Sequence, residues 1–381
     1  MAVTTVRSSF HVAVNTRLLL PRREGIGNYA HHVLRQMTTA HPEVQFTFFF
    51  DRPYAGEYVY GPNVRPVVLP PPSRHPVLWW IWFEVSVARA LRKLRPDVFF
   101  SPESYLPLRS DVPSLVVFHD IAYEHYHEDL PRSVRWYYRR YFPRYAQKAE
   151  RIACVSEYSR RDLAATYAID ARKTFVAYGA PAPDLAPLSP LEQEAARRRW
   201  TGGAPYFIYV GALHGRKNIA GLLRAFDRFK LQTSLPHRLL ITGRPMWPNS
   251  TIENTYRSMQ HRDAVVFTGW LNGEAVGKAL GAAEALVLVS HFEGFGLPIA
   301  EAQQVRTPVI TSNVTSMPEV AGDGALLVSP DRPDEIAAAM EKVLDPEVRR
   351  TLIEKGARNV RRFSWEQTAE RLWRALIDIA S

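Results

Sequence analysis

The chain has 381 residues, 46 % of them hydrophobic, and a net charge of +10. That length is enough for two ordinary domains, the apolar content is that of a soluble globular protein, and no window reaches the uninterrupted apolar length of a membrane span. A single cysteine, Cys154, excludes an internal disulfide and fits a reducing compartment.

The first ten residues run into a strand without an apolar core and cleavage site, so no signal peptide is expected. Residues 1–185 hold 24 Lys/Arg against 17 Asp/Glu, and the remainder 24 against 21. A basic N-terminal half suits an anionic membrane face or a phosphorylated lipid better than nucleic acid. Its charges are scattered over helical positions without a recognition motif.

In chain order, Phe10 to Asn15 reads as a first strand, and Arg17 to Gly27 as a loop containing Arg22, Arg23, Gly25 and Gly27. A helix follows from Ile26 with Tyr29, Val33 and Met37 at helical spacing. Strand, glycine loop and helix make half of a mononucleotide-binding unit, whose tip can contact a phosphate or an acceptor. Strands are expected at 44–50 and 64–68, followed by the proline cluster 70–72. Residues 77–94 read as a helix with an aromatic start and a basic end. It packs under a loop or forms a shallow membrane surface, since Trp beside Arg and Lys suits an interface.

Short buried strands at 97–101 and 114–118 come next. The second delivers His119 and Asp120 to a strand's carboxyl end, where doubly wound sheets bind ligands. Asp120 either orients the histidine or caps the next turn. Residues 137–148 form a basic aromatic helix, and Cys154 falls in an apolar run that reads as a buried strand. Ser156 is the N-cap of another helix. Proline density over 179–190 then marks a domain boundary, after which strand and helix alternation restarts.

In the second half, a strand at 206–210 runs into a glycine-containing turn with two adjacent cations, Arg216 and Lys217, before a helix at 219–231. This is either a pyrophosphate site or a solvated basic turn. Strands at 238–242 and 264–268 follow, the latter ending at Gly269, Trp270 and Leu271. The apolar run 285–289 leads into Ser290-His-Phe-Glu293-Gly294-Phe295-Gly296-Leu297-Pro298-Ile-Ala-Glu301-Ala302, a strand, a glycine loop and a helix start. Gly294 and Gly296 let the backbone approach a ligand, and unpaired amides at the helix start favour an oxygen-rich group. Glu293 and Glu301 bracket the loop. Each carboxylate can accept two hydrogen bonds from vicinal hydroxyls, though two solvated glutamates would give the same spacing.

The segment Ser290 to Ala302 closely resembles the donor-binding signature of the family 4 retaining glycosyltransferases. The resemblance extends to the His119-Asp120 pair, the Arg216-Lys217-Asn218 turn and the Phe363-Ser-Trp365 junction. It implies an α/β chain of the GT-B fold, with two Rossmann-like doubly wound parallel-sheet domains facing a cleft. Residues 1–182 would form the acceptor-side domain, 183–362 the nucleotide-sugar domain, and 363–381 a helix crossing back to the first domain. By the same resemblance, Glu293, His119 and the loop from Gly294 through Phe295 and Gly296 to Leu297 hold the donor sugar, and Glu301 the ribose. Arg216 and Lys217 neutralise the diphosphate, Trp270 and Leu271 wall the base, and Gly25 and Gly27 occupy a glycine loop of the first domain.

The activity implied is transfer of a hexose from a nucleotide diphosphate sugar to a hydroxyl of a glycan or lipid-linked acceptor. GDP-mannose is favoured and a UDP-sugar is the competing donor, because the His-Asp and Ser156-Glu-Tyr-Ser159 segments resemble bacterial mannosyltransferases of surface polysaccharide synthesis. No cofactor and no metal are expected, in keeping with the absence of an Asp-x-Asp motif. The expected place is the cytoplasm, with peripheral contact to anionic membrane at its inner face. A sugar-nucleotide epimerase or phosphorylase on the same fold, and a non-catalytic membrane-associated scaffold, are the alternatives.

Overall fold

The computed structural model describes residues 10–21, 25–126, 130–244 and 250–381, so Arg22 and Arg23 lie outside the described residues. The chain forms two compact units, Met1–Gly179 with Ser364–Ser381, and Ala180–Phe363.

The first unit is built on seven parallel strands: β1 His11–Asn15, β2 Gln45–Phe50, β3 Val64–Val68, β4 Val98–Ser101, β5 Ser114–Phe118, β6 Arg151–Cys154 and β7 Thr174–Val176. Their order is β3-β2-β1-β4-β5-β6-β7. Inner strands such as β4 and β5 are buried at every residue, which is why they read as apolar runs rather than alternating ones. Val12 of β1 pairs with Phe46 on one side and Val98 on the other, so chain order reverses between β1 and β4. Ligands of doubly wound sheets gather at such a switch point.

The helix Gly25–Ala40 starts one residue before the expected Ile26 and buries Tyr29, Val33, Leu34 and Met37. Residues 76–94 are helical with a π turn over Trp82–Val87. Trp82, Phe83, Val87 and Leu91 lie wholly inside the core, packed with Phe118, Tyr137 and Tyr145. Trp82 and Phe83 are therefore core, with a hydrogen bond from Trp82 Nε1 to the Leu69 carbonyl at 2.8 Å, while Trp79 and Trp80 pack against that core partly buried. The basic aromatic helix runs Arg132–Lys148, five residues longer at its start than expected.

The helix Trp365–Ala380 is part of this unit, entered through Ser364, whose hydroxyl accepts the Gln367 N–H. Trp365 stacks on His32 with ring centres 4.8 Å apart, and Trp373 stacks on His41. Thr368 Oγ1 donates to the Tyr178 carbonyl at 2.7 Å.

The second unit has six parallel strands: β8 Tyr206–Val210, β9 Arg238–Thr242, β10 Val265–Gly269, β11 Ala285–Leu288, β12 Val309–Ser312 and β13 Leu326–Val328. Their order, β10-β9-β8-β11-β12-β13, puts the switch point between β8 and β11. Phe207 accordingly pairs with Leu239 and with Ala285. At the carboxyl ends of β8 and β9 the backbones nearly touch. Gly243 has φ 147°, and a Cβ there would fall 1.8 Å from the Gly211 carbonyl oxygen, so only glycine fits. Both units are thus doubly wound parallel sheets, the fold class expected of the chain.

Candidate functional site

In the second unit the loops after β8 and β11 meet at the switch point. Lys217 Nζ lies 2.6 Å from both carboxylate oxygens of Glu293, and Arg216 Nη1 lies 3.6 Å from one of them. Ser290 Oγ donates to the same carboxylate at 2.7 Å. Burial raises the Glu293 carboxyl, but the Lys217 and Arg216 charges and these hydrogen bonds outweigh it and hold the group below the ordinary carboxylate range. It stays ionised inside the protein.

The two loops are fastened by more than charge. Arg216 Nη1 donates to the Phe292 carbonyl at 2.7 Å, and the His291 N–H donates to the Arg216 carbonyl at 2.8 Å. Asn218, in the left-handed region at φ 56°, donates through Nδ2 to the carbonyls of Val289 and Pro330. From β12 and just beyond it, Ser312 Oγ donates to the Ser290 carbonyl and Ser316 Oγ to those of Glu293 and Phe295. The expected trio Arg216, Lys217 and Glu293 is therefore one cluster.

Gly294, Phe295 and Gly296 are buried between that cluster and the helix Leu297–Gln304. Gly296 caps the helix at φ 89°, a left-handed conformation that glycine adopts without strain. The Phe295 ring meets Phe363 edge-on at 5.3 Å, so its side chain anchors the loop. The N–H of Leu297, at the first helical position, has no protein acceptor among the described residues. Glu301 lies one turn further on. Protein surrounds its carboxyl on most sides, no side-chain partner compensates it among the described residues, and burial pushes it up to about 7.

Trp270 and Leu271 follow β10, the edge strand, and β9 separates them from the switch point. Both are partly exposed, and the Arg244 guanidinium lies over the Trp270 indole at 5.5 Å. They lie at the carboxyl edge of the same sheet as the cluster. Arg244 carries no motif that would single it out in the sequence.

In the first unit, His119 follows β5. Its Nε2 is 2.9 Å from the Pro102 carbonyl, which only accepts, so Nε2 carries the proton and Nδ1 is an acceptor. Burial holds the ring below the usual histidine range, and it is neutral at neutral pH. Asp120 does not orient it: its carboxylate caps the next turn by accepting the Ala122 N–H at 3.0 Å. The Tyr29 ring stands edge-on to His119 at 4.9 Å, which brings the helix start with Gly25 and Gly27 close to the histidine. Gly25 lies open: a Cβ added there would meet nothing within 4 Å, so the fold alone does not demand glycine.

Sequence reasoning missed a buried network at the β1/β4 switch point. Arg17 grips Glu103 through Nε at 2.5 Å and Nη2 at 2.6 Å, and Asn15 Nδ2 donates to the same carboxylate at 2.6 Å. Burial disfavours the Arg17 charge, and Glu103 restores and strengthens it. The pair braces residues 101–105, which include the Pro102 carbonyl that holds His119. Arg17 and Glu103 each lie two residues beyond a strand end, but only the strand order shows that β1 and β4 are neighbours.

Among the described residues no helix is long and apolar enough to cross a membrane, and no group of three His, Cys, Asp or Glu side chains is placed to hold a metal ion.

The chain matches known families over most of its length. The family of glycosyl transferases group 1 matches residues 192–360, and glycosyltransferase family 4 matches residues 23–180. The O-antigen chain mannosyltransferase B of Escherichia coli is 30 % identical over 284 residues, covering 73 % of this chain and 74 % of that protein. A sucrose-phosphate synthase structure from Thermosynechococcus elongatus superposes with a TM-score of 0.75 at 20 % identity, covering 97 % of this chain and 99 % of that one. Anabaena HepE in complex with UDP-glucose superposes with a TM-score of 0.74 at 15 % identity, covering 97 % and 99 %.

Proposed function

Because this chain belongs to the family 4 glycosyltransferases, with the GT-B fold, we propose that it moves mannose from GDP-mannose to a hydroxyl of a glycan or lipid-linked acceptor. The setting proposed is surface polysaccharide synthesis, with the anomeric configuration retained and no metal required. The similarity to an O-antigen chain mannosyltransferase supports mannose as the sugar.

The observation that carries the reading is the Lys217–Glu293 contact of 2.6 Å, with Arg216 beside it. A cation and a carboxylate that neutralise each other at a switch point are matched by a ligand bearing both an anion and hydroxyls. The diphosphate takes Lys217 and Arg216, and the sugar hydroxyls take Glu293, so neither charge is left unpaired. The amides of Phe295 to Leu297 add donors to the sugar. Glu301, once ionised, accepts the ribose hydroxyls, and Trp270 and Leu271 wall the base. His119 offers Nδ1 to a sugar hydroxyl, and the glycine tip at Gly25 and Gly27 is assigned to phosphate or acceptor.

In the step itself the acceptor oxygen bonds to the anomeric carbon as the bond from that carbon to the diphosphate oxygen breaks. The departing phosphate oxygen takes the acceptor's proton, while Arg216 and Lys217 stabilise the charge that develops.

Incubation with GDP-mannose and mannose-terminated glycans, reading GDP release and product configuration, tests this. The expected result is a product with the donor's anomeric configuration, with kcat/KM falling by about a hundredfold or more in Lys217→Ala and Glu293→Gln. Turnover with a UDP-sugar alone overturns the mannose assignment, and inversion overturns the retaining one.

A further inference from the structure

We propose that the outer face of the helix Arg132–Lys148 is a docking surface for an anionic lipid bilayer. The helix carries six basic side chains and no acidic one in its 17 residues. Its inner face, Tyr137, Phe142, Tyr145 and Ala146, is buried in the core of the first unit. Tyr137 and Tyr145 share a hydrogen bond at 2.7 Å, and Trp79 stacks on Tyr138, so the rotation of the helix about its axis is fixed.

Helical spacing then turns Arg132, Arg135, Trp136, Arg139 and Arg140 outward. These five residues line a shallow depression of about 420 Å³. Trp136 is 62 % exposed, the one tryptophan among the described residues left largely open to solvent. Of the basic residues on this helix, only Arg139 comes within ion-pair range of an acidic group among the described residues, Glu124 at 3.7 Å.

A cluster of guanidinium groups around a single indole fits a layer of phosphate headgroups. Arginine pairs with phosphate oxygens in a planar fork, and an indole settles at the boundary between headgroup and acyl chain. The face presents one open indole rather than a row of stacking rings, which suits a headgroup layer better than a single nucleic-acid strand. The membrane surface that was the alternative to core packing for residues 77–94 is thus placed by this proposal on a different helix, because Trp82 is buried in the core and Trp79 and Trp80 pack against it.

The test is co-sedimentation of the full chain with vesicles of phosphatidylcholine alone or mixed with phosphatidylglycerol, at low and high salt. Binding is expected only to the phosphatidylglycerol vesicles, to be lost at high salt, and to weaken by about fivefold for each of Arg135→Gln and Arg139→Gln. Trp136→Ala should weaken it severalfold and abolish a blue shift of tryptophan fluorescence on vesicle addition, with thermal stability and turnover of soluble substrates unchanged. Equal partition to neutral vesicles, or binding indifferent to all three substitutions, overturns the proposal. So does retention on single-stranded DNA or polyglutamate with no vesicle binding, which would assign the face to an acidic macromolecule instead.

Discussion

Glu293 and Glu301 are separated by a glycine loop and one helical turn, and by opposite electrostatics. Glu293 is 6 % exposed and is kept charged by Lys217, Arg216 and Ser290. Removing the ammonium in Lys217→Ala leaves a buried carboxylate with one weaker cation, and denaturant unfolding should show a loss of about 3 kcal/mol. Adding Glu293→Gln to that variant should recover much of the loss, because the uncompensated charge disappears. Glu301 has no such partner among the described residues, and its folded value near 7 lies above the ordinary carboxylate value of 4.5. The folded state therefore holds this proton more tightly than the unfolded chain does. The associated stability is fully present below the ordinary value and is lost as pH rises through 7. Glu301→Gln should accordingly exceed the wild type in stability at pH 8 by up to about 3 kcal/mol, with the gap closing as the pH falls toward 4.5. A gap that does not change with pH would contradict the burial argument. If Glu301 takes the proposed ribose role, wild-type affinity for a nucleotide should rise between pH 6 and 8, as its carboxyl ionises.

At the level of elements, the site is a junction of two loops that follow adjacent strands, and Asn218 is its pin. It supplies two hydrogen bonds to buried carbonyls from a left-handed backbone. Asn218→Gly loses the bonds alone, whereas Asn218→Ala also places a Cβ in that conformation, so alanine should be the less stable by about 1 kcal/mol. Equal stability of the two variants would mean the backbone strain is relieved elsewhere. The strands and the residues just beyond them were legible in the sequence because buried parallel strands are apolar throughout. Which loop meets which was not legible, since it depends on strand order. That is why Lys217 and Glu293 were identified singly, while the Arg17–Glu103 pair escaped notice. Helix faces were read less well than helix positions. The aromatic start of residues 77–94 suits either core packing or a membrane surface by sequence alone, and only the fold shows Trp82 buried with Trp79 partly buried beside it.

For the whole molecule, 18 C-terminal residues fold with the first unit through Trp365, Leu372, Trp373 and Leu376, an arrangement expected from the resemblance at the Phe363-Ser-Trp365 junction and not from helical periodicity. The parallel sheets and the glutamate signature were readable from sequence, and the family assignment agrees with them. No motif in the sequence spells out which base and sugar the donor carries. The most direct test of the account is thermal stability of the wild type and of Lys217→Ala and Glu301→Ala against GDP, UDP and their sugar conjugates. A nucleotide that binds only the folded state at a hundred times its dissociation constant stabilises by about 2.7 kcal/mol. A shift of that size is expected with GDP and GDP-mannose, reduced or lost in both variants. A shift with no nucleotide at all in well-folded protein, or one that both variants keep in full, would contradict it.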